Sequence, residues 1–346
     1  MSQGASARGH GSTSLWEAGF FSSARSFSLE PGPRVDPDQV VGYYIDLRQK
    51  ADEPRWPPHW AGDEGLYVDF SQWALGAYEH YLEDRTDAWL AAARAAGVWL
   101  LGRQARGGPN EGSFSHPQDY PHTYRLNAPW VSGIVQGQCA SLFVRLFLTT
   151  RDERFAEGAL SALRPLAVPT SEGGAVALLG GGPFPEEYPT NPPSYVLNGA
   201  IFALFGLYDV SVGLDNAYRS AFDEMVDVLA SNLYRWDLGY WSRYDLYPHP
   251  VVNVASSAYH HLHISELAML VLLTQRREFS EAYERFTAYE LSFRCRMRAF
   301  AGKALFRLFV PRRKPSVTGW AWDVTGENVS QASDGIADTA DETAPN

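Results

Sequence analysis

The chain has 346 residues, 45% of them hydrophobic and 14% aromatic, enough to bury one large core or two smaller ones. Its formal charge of −11 argues against nucleic acid held by general attraction, because counterion release needs a basic surface. Cys139 and Cys295 are the only cysteines, which excludes a disulfide scaffold and disfavours a four-ligand zinc site; no apolar run approaches the ~18 residues of a spanning helix.

Residues 1–38 are rich in Ser, Gly, Pro and Arg, lack the apolar core of a secretory signal, and read as a weakly ordered extension of a cytoplasmic protein. From residue 39 the pattern becomes helical. "DEGLYVDFSQWALGAYEHYL" and "DAWLAAARAAGVWLLGRQ" carry apolar residues at helical spacing, joined by a short polar turn. The unit recurs in "GIVQGQCASLFVRLFLTT" with "DERFAEGALSALRPLAVP", and in "YVLNGAIFALFGLYDVSVGL" with "NAYRSAFDEMVDVLASNLYRWD". Long loops rich in Gly, Pro and aromatics separate the pairs, and loops of that length in a compact domain are usually functional. The expected fold is therefore mainly α, an incomplete α/α toroid of helical hairpins with long loops and a small β-hairpin, spanning 39–322; a plain α-solenoid competes, without a strict repeat to support it. Residues 323–346 form an acidic tail without Lys or Arg, expected to be disordered.

Three constellations stand out. In "EEYPTNPPSYVLNG" the prolines stiffen a loop that presents Glu187, Tyr188 and Tyr195 ahead of a helix expected to begin near Ser194; a plain helix cap with half-buried aromatics is an equally good reading. "WDLGYWSRYDLYPH" offers Tyr240, Trp241, Arg243, Tyr244, Asp245, Tyr247 and His249, a set suited to a sugar acid, against the blander reading of a β-hairpin over Tyr240, Ser242, Tyr244 and Leu246. "SSAYHHLHISEL" opens a helix with Tyr259, His260 and His263 near one face. It lacks the H-E-x-x-H pattern, so cleft-lining or capping histidines are favoured over metal ligands. The glycines of "GGAVALLGGGP" are not followed by G-K-[ST] and make no phosphate loop. The basic, apolar "RCRMRAFAGKALFRLFVPRRK" reads as a closing element with a solvated basic face.

Taken in this order and separation, "WVSGIVQGQCASLFVRLFLTT", "EEYPTNPPSYVLNGAIFALFGLYD", "YDL" and "YHHLHI" resemble the catalytic domain of the D-glucuronyl C5-epimerases, over about Leu66 to Tyr289. The resemblance implies an α/α toroid, a homodimer, and an anionic substrate, the glucuronate of heparosan or heparan sulfate, with no metal or cofactor implied for the matching stretch. By motif it places the reactive acid and phenols on Glu187, Tyr188, Tyr244 and Tyr259. Arg243, His260 and His263 are candidates to neutralise the uronate carboxylate, and Tyr195, Asn198, Gln136 and Trp241 join them as expected substrate-binding residues. Tyr247 stands where the family has an arginine, with Arg243 and His249 nearby.

The chemistry suits these residue types. Removing the C5 proton, α to a carboxylate, and returning one to the other face needs two acid/base groups and donors that neutralise the carboxylate. A uronate lyase begins with the same abstraction and then expels the C4 oxygen, and an inactive uronan-binding module would keep aromatic stacking and carboxylate binding while the Tyr247 departure abolishes turnover. Spacing does not separate these outcomes.

Overall fold

The computed structural model describes residues 29–59, 66–108, 110–117, 119–120 and 123–311. Most of the N-terminal extension, the end of the domain at residue 322 and the acidic tail lie outside the described residues. The architecture is mainly α with two small antiparallel hairpins. Four helical pairs follow one another: α1 (Tyr67–Asp84) with α2 (Asp87–Leu101), α3 (Gly133–Thr150) with α4 (Glu153–Ala162), α5 (Leu197–Gly213) with α6 (Tyr218–Asn232), and α7 (Ser257–Thr274) with α8 (Arg277–Leu291). A further helix, α9 (Phe293–Phe309), closes the described chain. No described helix is long and apolar enough to cross a membrane.

Three of the four turns share one geometry. Arg85, Arg151 and Gln275 end α1, α3 and α7 in the left-handed region, at φ 53°, 57° and 53°, and each amide bonds back to the helix carbonyl four residues earlier. A single extended residue then starts the returning helix, and Asp152 caps α4 by accepting from the Arg154 amide.

Burial sorts the helices into two layers. α1, α3, α5 and α7 touch in succession, while each returning helix packs on its own partner. α3 and α5 are buried on nearly all sides, whereas α6 and α8 each bury one apolar stripe. Gly137 and Gly206 set the α3–α5 distance: a Cβ on Gly137 would lie 2.5 Å from the Phe202 carbonyl, and one on Gly206 2.4 Å from Gly137 Cα. Only backbone fits there.

The strands fall where loops were expected. β1 (Ser115–His116) pairs with β2 (Trp130–Val131), and β3 (Val176–Leu179) with β4 (Gly182–Pro185). Gly180 and Gly181, at φ 61° and 93°, form the two-residue turn of the second hairpin, a Gly-Gly signal the sequence reading did not use. The hairpin expected over Tyr240–Leu246 is absent among the described residues; isolated pairings of Asp237 with Ser242 and of Arg243 with Val254 hold that segment.

An ion pair lies inside the inner layer. Arg145 of α3 meets Asp209 of α5 at 2.6 Å with both side chains fully buried, and the guanidinium also donates to the Gly42 carbonyl at 2.7 Å. Tyr44 donates to the other Asp209 oxygen at 2.8 Å, so the pair ties the segment before α1 to the core. Removing one member leaves a buried charge without its partner, so Arg145→Met is expected to lower stability by about 3–5 kcal/mol. Urea unfolding checks this; a loss below about 1 kcal/mol would show that the pair does not organise the core.

Candidate active site

The loop from β4 to α5 is built around two adjacent acids with opposite tasks. Glu186, fully buried, accepts from Ser194 Oγ at 2.5 Å and from the amides of Ser194 and Tyr195 at 3.2 and 3.0 Å. Its own carbonyl accepts from the Gly133 amide at 2.7 Å, which pins the loop to the start of α3. Ser194 therefore braces the loop instead of capping the helix, and α5 begins at Leu197 after a left-handed Tyr195 at φ 49°. Glu187 turns the other way. Ser132 Oγ donates to its carbonyl at 2.7 Å, and its carboxyl lies against Gly199, where a Cβ would meet Glu187 Oε2 at 2.4 Å.

Glu187 is 8% exposed, and its Oε2 has no hydrogen-bond partner among the described residues. Burial pushes its carboxyl up to about 7; the Tyr188 side chain opposes the rise and the charge of Asp245 adds to it. Glu187, Tyr188, Tyr244 and Tyr259 come together. The Tyr244 and Tyr259 rings meet edge to face at 4.8 Å, and Tyr188 has Glu187, Tyr244 and Tyr259 among its neighbours. Burial raises the phenols of Tyr188 and Tyr244 well above the usual range, with Glu187 the next cause in each. Tyr188 and Tyr244 are thus held as protonated donors beside a Glu187 carboxyl raised to about 7.

The other expected residues are placed differently. Gln136 is fully buried on α3, where its amide, turned to suit its surroundings, donates to the Gly112 and Ala162 carbonyls and accepts from Phe114. Trp241, 1% exposed, stacks on His260 at 3.7 Å and donates Nε1 to the Ala255 carbonyl. His260 and His263 are enclosed, and both direct Nδ1 at Ser242 Oγ, at 2.7 and 2.9 Å. The Ser242 amide also donates to His260 Nδ1, so the proton sits on Nε2, which donates to the Phe286 carbonyl at 3.0 Å. Burial lowers the pKa of His260 to about 4 and that of His263 well below its usual value. These histidines are held neutral and brace Ser242, and His263 Nε2 has no hydrogen-bond partner among the described residues. Tyr195 donates to the Leu178 carbonyl at 2.6 Å, on the β3–β4 hairpin. Asn198 is buried beside Gly199 with Oδ1 unpartnered among the described residues, and Arg243 is half-buried with Nε donating to the Asp245 carbonyl at 3.1 Å.

Sequence reasoning missed several members. Tyr120 stacks parallel to Tyr188 at 5.8 Å, and Tyr124 lies 4.9 Å from the same ring and donates to Asp245 Oδ2. The same Asp245 oxygen accepts from Asn253, and His249 stands 3.3 Å away. Glu266 of α7 is fully buried with neither carboxyl oxygen partnered among the described residues; burial, then Glu187, raises its pKa well above the ordinary value. The aromatic "QDYPHTY" loop was the available signal for Tyr120 and Tyr124. Among the described residues no group of three His, Cys, Asp or Glu is placed to hold a metal ion.

The hairpin helices thus frame a buried carboxyl beside phenols that burial holds protonated. A sequence model described as the D-glucuronyl C5-epimerase C-terminus matches residues 108–288, more than half of the chain, and the chain belongs to that family. A D-glucuronyl C5-epimerase of Caenorhabditis elegans is 29% identical over 215 residues, covering 56% of this chain and 34% of the relative. An uncharacterised protein of Methanocaldococcus jannaschii is 28% identical over 168 residues, covering 47% of this chain and 53% of the relative. The chain thus spans about a third to a half of the length of these relatives. Among solved structures, a GH127 beta-arabinofuranosidase matches with a TM-score of 0.38 and 16% identity over 74% of this chain and 38% of that one, a level that carries no argument.

Glu187 links the site to stability. An acid whose folded pKa is about 7, against 4.5 ordinarily, binds its proton more tightly in the folded state, so the contribution of Glu187 to stability is most favourable below pH 4.5 and declines up to about 7. Glu187→Gln removes that decline. The variant is expected to gain on wild type by on the order of 1–3 kcal/mol between pH 5 and pH 8 in paired urea titrations. A pH-independent difference would contradict the buried-acid assignment.

Proposed function

We propose that the protein is a C5-epimerase that converts D-glucuronate to L-iduronate residues in a heparosan-like polysaccharide, at the cleft of an incomplete α/α toroid. The observation that carries this reading is the Glu187 carboxyl, raised to about 7, facing Tyr188 and Tyr244, with Tyr259 packed on the Tyr244 ring, inside the family-matched region. A base of that pKa is ionised in useful proportion near neutrality and is stronger than an ordinary carboxylate. Phenols that hold their protons supply what the second half of the reaction needs.

In this scheme Glu187 removes the C5 proton, with Tyr188 beside it as relay. Charge then moves onto the uronate carboxylate, where Tyr244 donates a hydrogen bond, and Tyr259 returns a proton from the other face. Arg243 and Tyr195, both partly exposed, are assigned to substrate binding together with Asn198. Gln136, Trp241, His260 and His263 serve this binding through the residues they brace. The unit is taken as residues 39–322 acting as a homodimer.

The test is incubation with heparosan in heavy water, with the product read by NMR. Deuterium at C5 with iduronate signals and intact chains is expected; unsaturated chain ends would instead identify β-elimination. Tyr259→Phe and Glu187→Gln are each expected to lower C5 exchange by about 10²-fold or more with the fold retained. Exchange near the wild-type rate in either variant removes that residue from the scheme. The rate should fall as pH drops below about 7, because Glu187 must be ionised to act.

A further inference from the structure

Helix α9 lies beyond the family-matched residues, yet it delivers a buried cation to the site. Lys303 is 5% exposed, and its Nζ donates to Asn253 Oδ1 at 2.8 Å. That contact orients the Asn253 amide, because an ammonium has no acceptor and must face the amide oxygen. The amide nitrogen then points at Asp245 Oδ2 and donates to it. One neutral side chain thus bridges a buried ammonium and a buried carboxylate. The same Nζ stands 5.8 Å from the centre of the Tyr244 ring, the ring that meets Tyr259. The Tyr244 amide donates to the Asn253 carbonyl at 2.8 Å, so the bridge and the phenol move as one piece.

We propose that Lys303 is a positioning residue of the acid–base site, which through Asn253 offsets the Asp245 carboxylate and limits the negative field that reaches Glu187. The proposal rests on the reading of Glu187 as the base given above. The field has several sources. Glu187 is faced by Tyr188 on its own loop, Tyr120 and Tyr124 from the loop between β1 and β2, Tyr244 and Asp245 from the segment before α7, and Glu266 of α7. Asp245 is in turn faced by Tyr124, Asn253, His249 and Arg243. A uronate entering this surrounding adds another anion. Without a compensating cation, Glu187 would be driven toward its protonated form and could not act as a base at neutral pH.

The test reads Glu187 directly, by carbon-13 NMR titration of its carboxyl, assigned through the signal lost in Glu187→Gln. Lys303→Met keeps most of the side chain and removes the charge. It should move the Glu187 midpoint upward by about half a unit or more, Asp245→Asn should move it downward, and the double variant should return it toward wild type. The acid limb of C5 exchange should move in the same directions. A folded Lys303→Met protein with an unchanged Glu187 midpoint overturns the proposal. Should that variant not fold, the coupling is read in reverse: Asp245→Asn should lower the titration midpoint of the Lys303 ammonium in nitrogen-15 spectra, and an unchanged midpoint overturns the proposal equally. Neither titration needs a substrate. Loss of C5 exchange on heparosan with the expected shifts would therefore count against the proposed reaction alone, and normal exchange without the shifts against Lys303 alone.

Discussion

The site depends on one buried carboxyl gripping its own loop. Glu186 gathers the Ser194 hydroxyl and the amides of Ser194 and Tyr195, while its carbonyl takes the Gly133 amide. Burial pushes the Glu186 carboxyl up to about 8 against the pull of these donors. The grip closes a proline-stiffened loop onto the start of α3, and the direction of the next side chain follows. Glu187 can enter the site only because Glu186 points away from it and Gly199 offers no Cβ to obstruct it. Adjacent acids with identical chemistry are thus divided by geometry, one bracing the loop and the other turned toward the phenols.

Around that loop the molecule accepts unfavourable burial where chemistry requires it. Glu187 and Glu266 are enclosed carboxyls with unpartnered oxygens among the described residues, and His260 and His263 are enclosed imidazoles. Each is held in its neutral direction by desolvation. Such groups weaken a fold, and they persist here on a scaffold fastened elsewhere, by the α3–α5 backbone contact and the Arg145–Asp209 pair. Loops carry Glu187, Tyr188 and Tyr244, and the first turn of α7 carries Tyr259.

Much of this was legible before any coordinates. The hairpin helices follow from apolar residues at helical spacing, and the motif carrying Glu187 and Tyr188 stood out because its prolines and acids have no generic helical reason to coincide. Adjacent glycines at 180 and 181 were seen only as not being a phosphate loop, so the β3–β4 hairpin was read as irregular. His260 and His263 looked like cleft residues because polarity is visible in a sequence and burial is not. Tyr124 and Asp245 lie 121 positions apart, and Lys303 and Asn253 lie 50 apart; no local period links residues so distant.

The sequence by itself determined the helical pairs, the stiff acid-bearing loop, and the family to which that loop belongs. These are consequences of nearest neighbours along the chain: periodicity, fixed proline φ angles and motif spacing. Only the tertiary structure decided that Glu186 braces its own loop, which protonation state the histidines hold, and that a lysine on the last described helix reaches the site. Those outcomes are set by desolvation and by partners brought from remote segments, and neither quantity exists until the chain has folded.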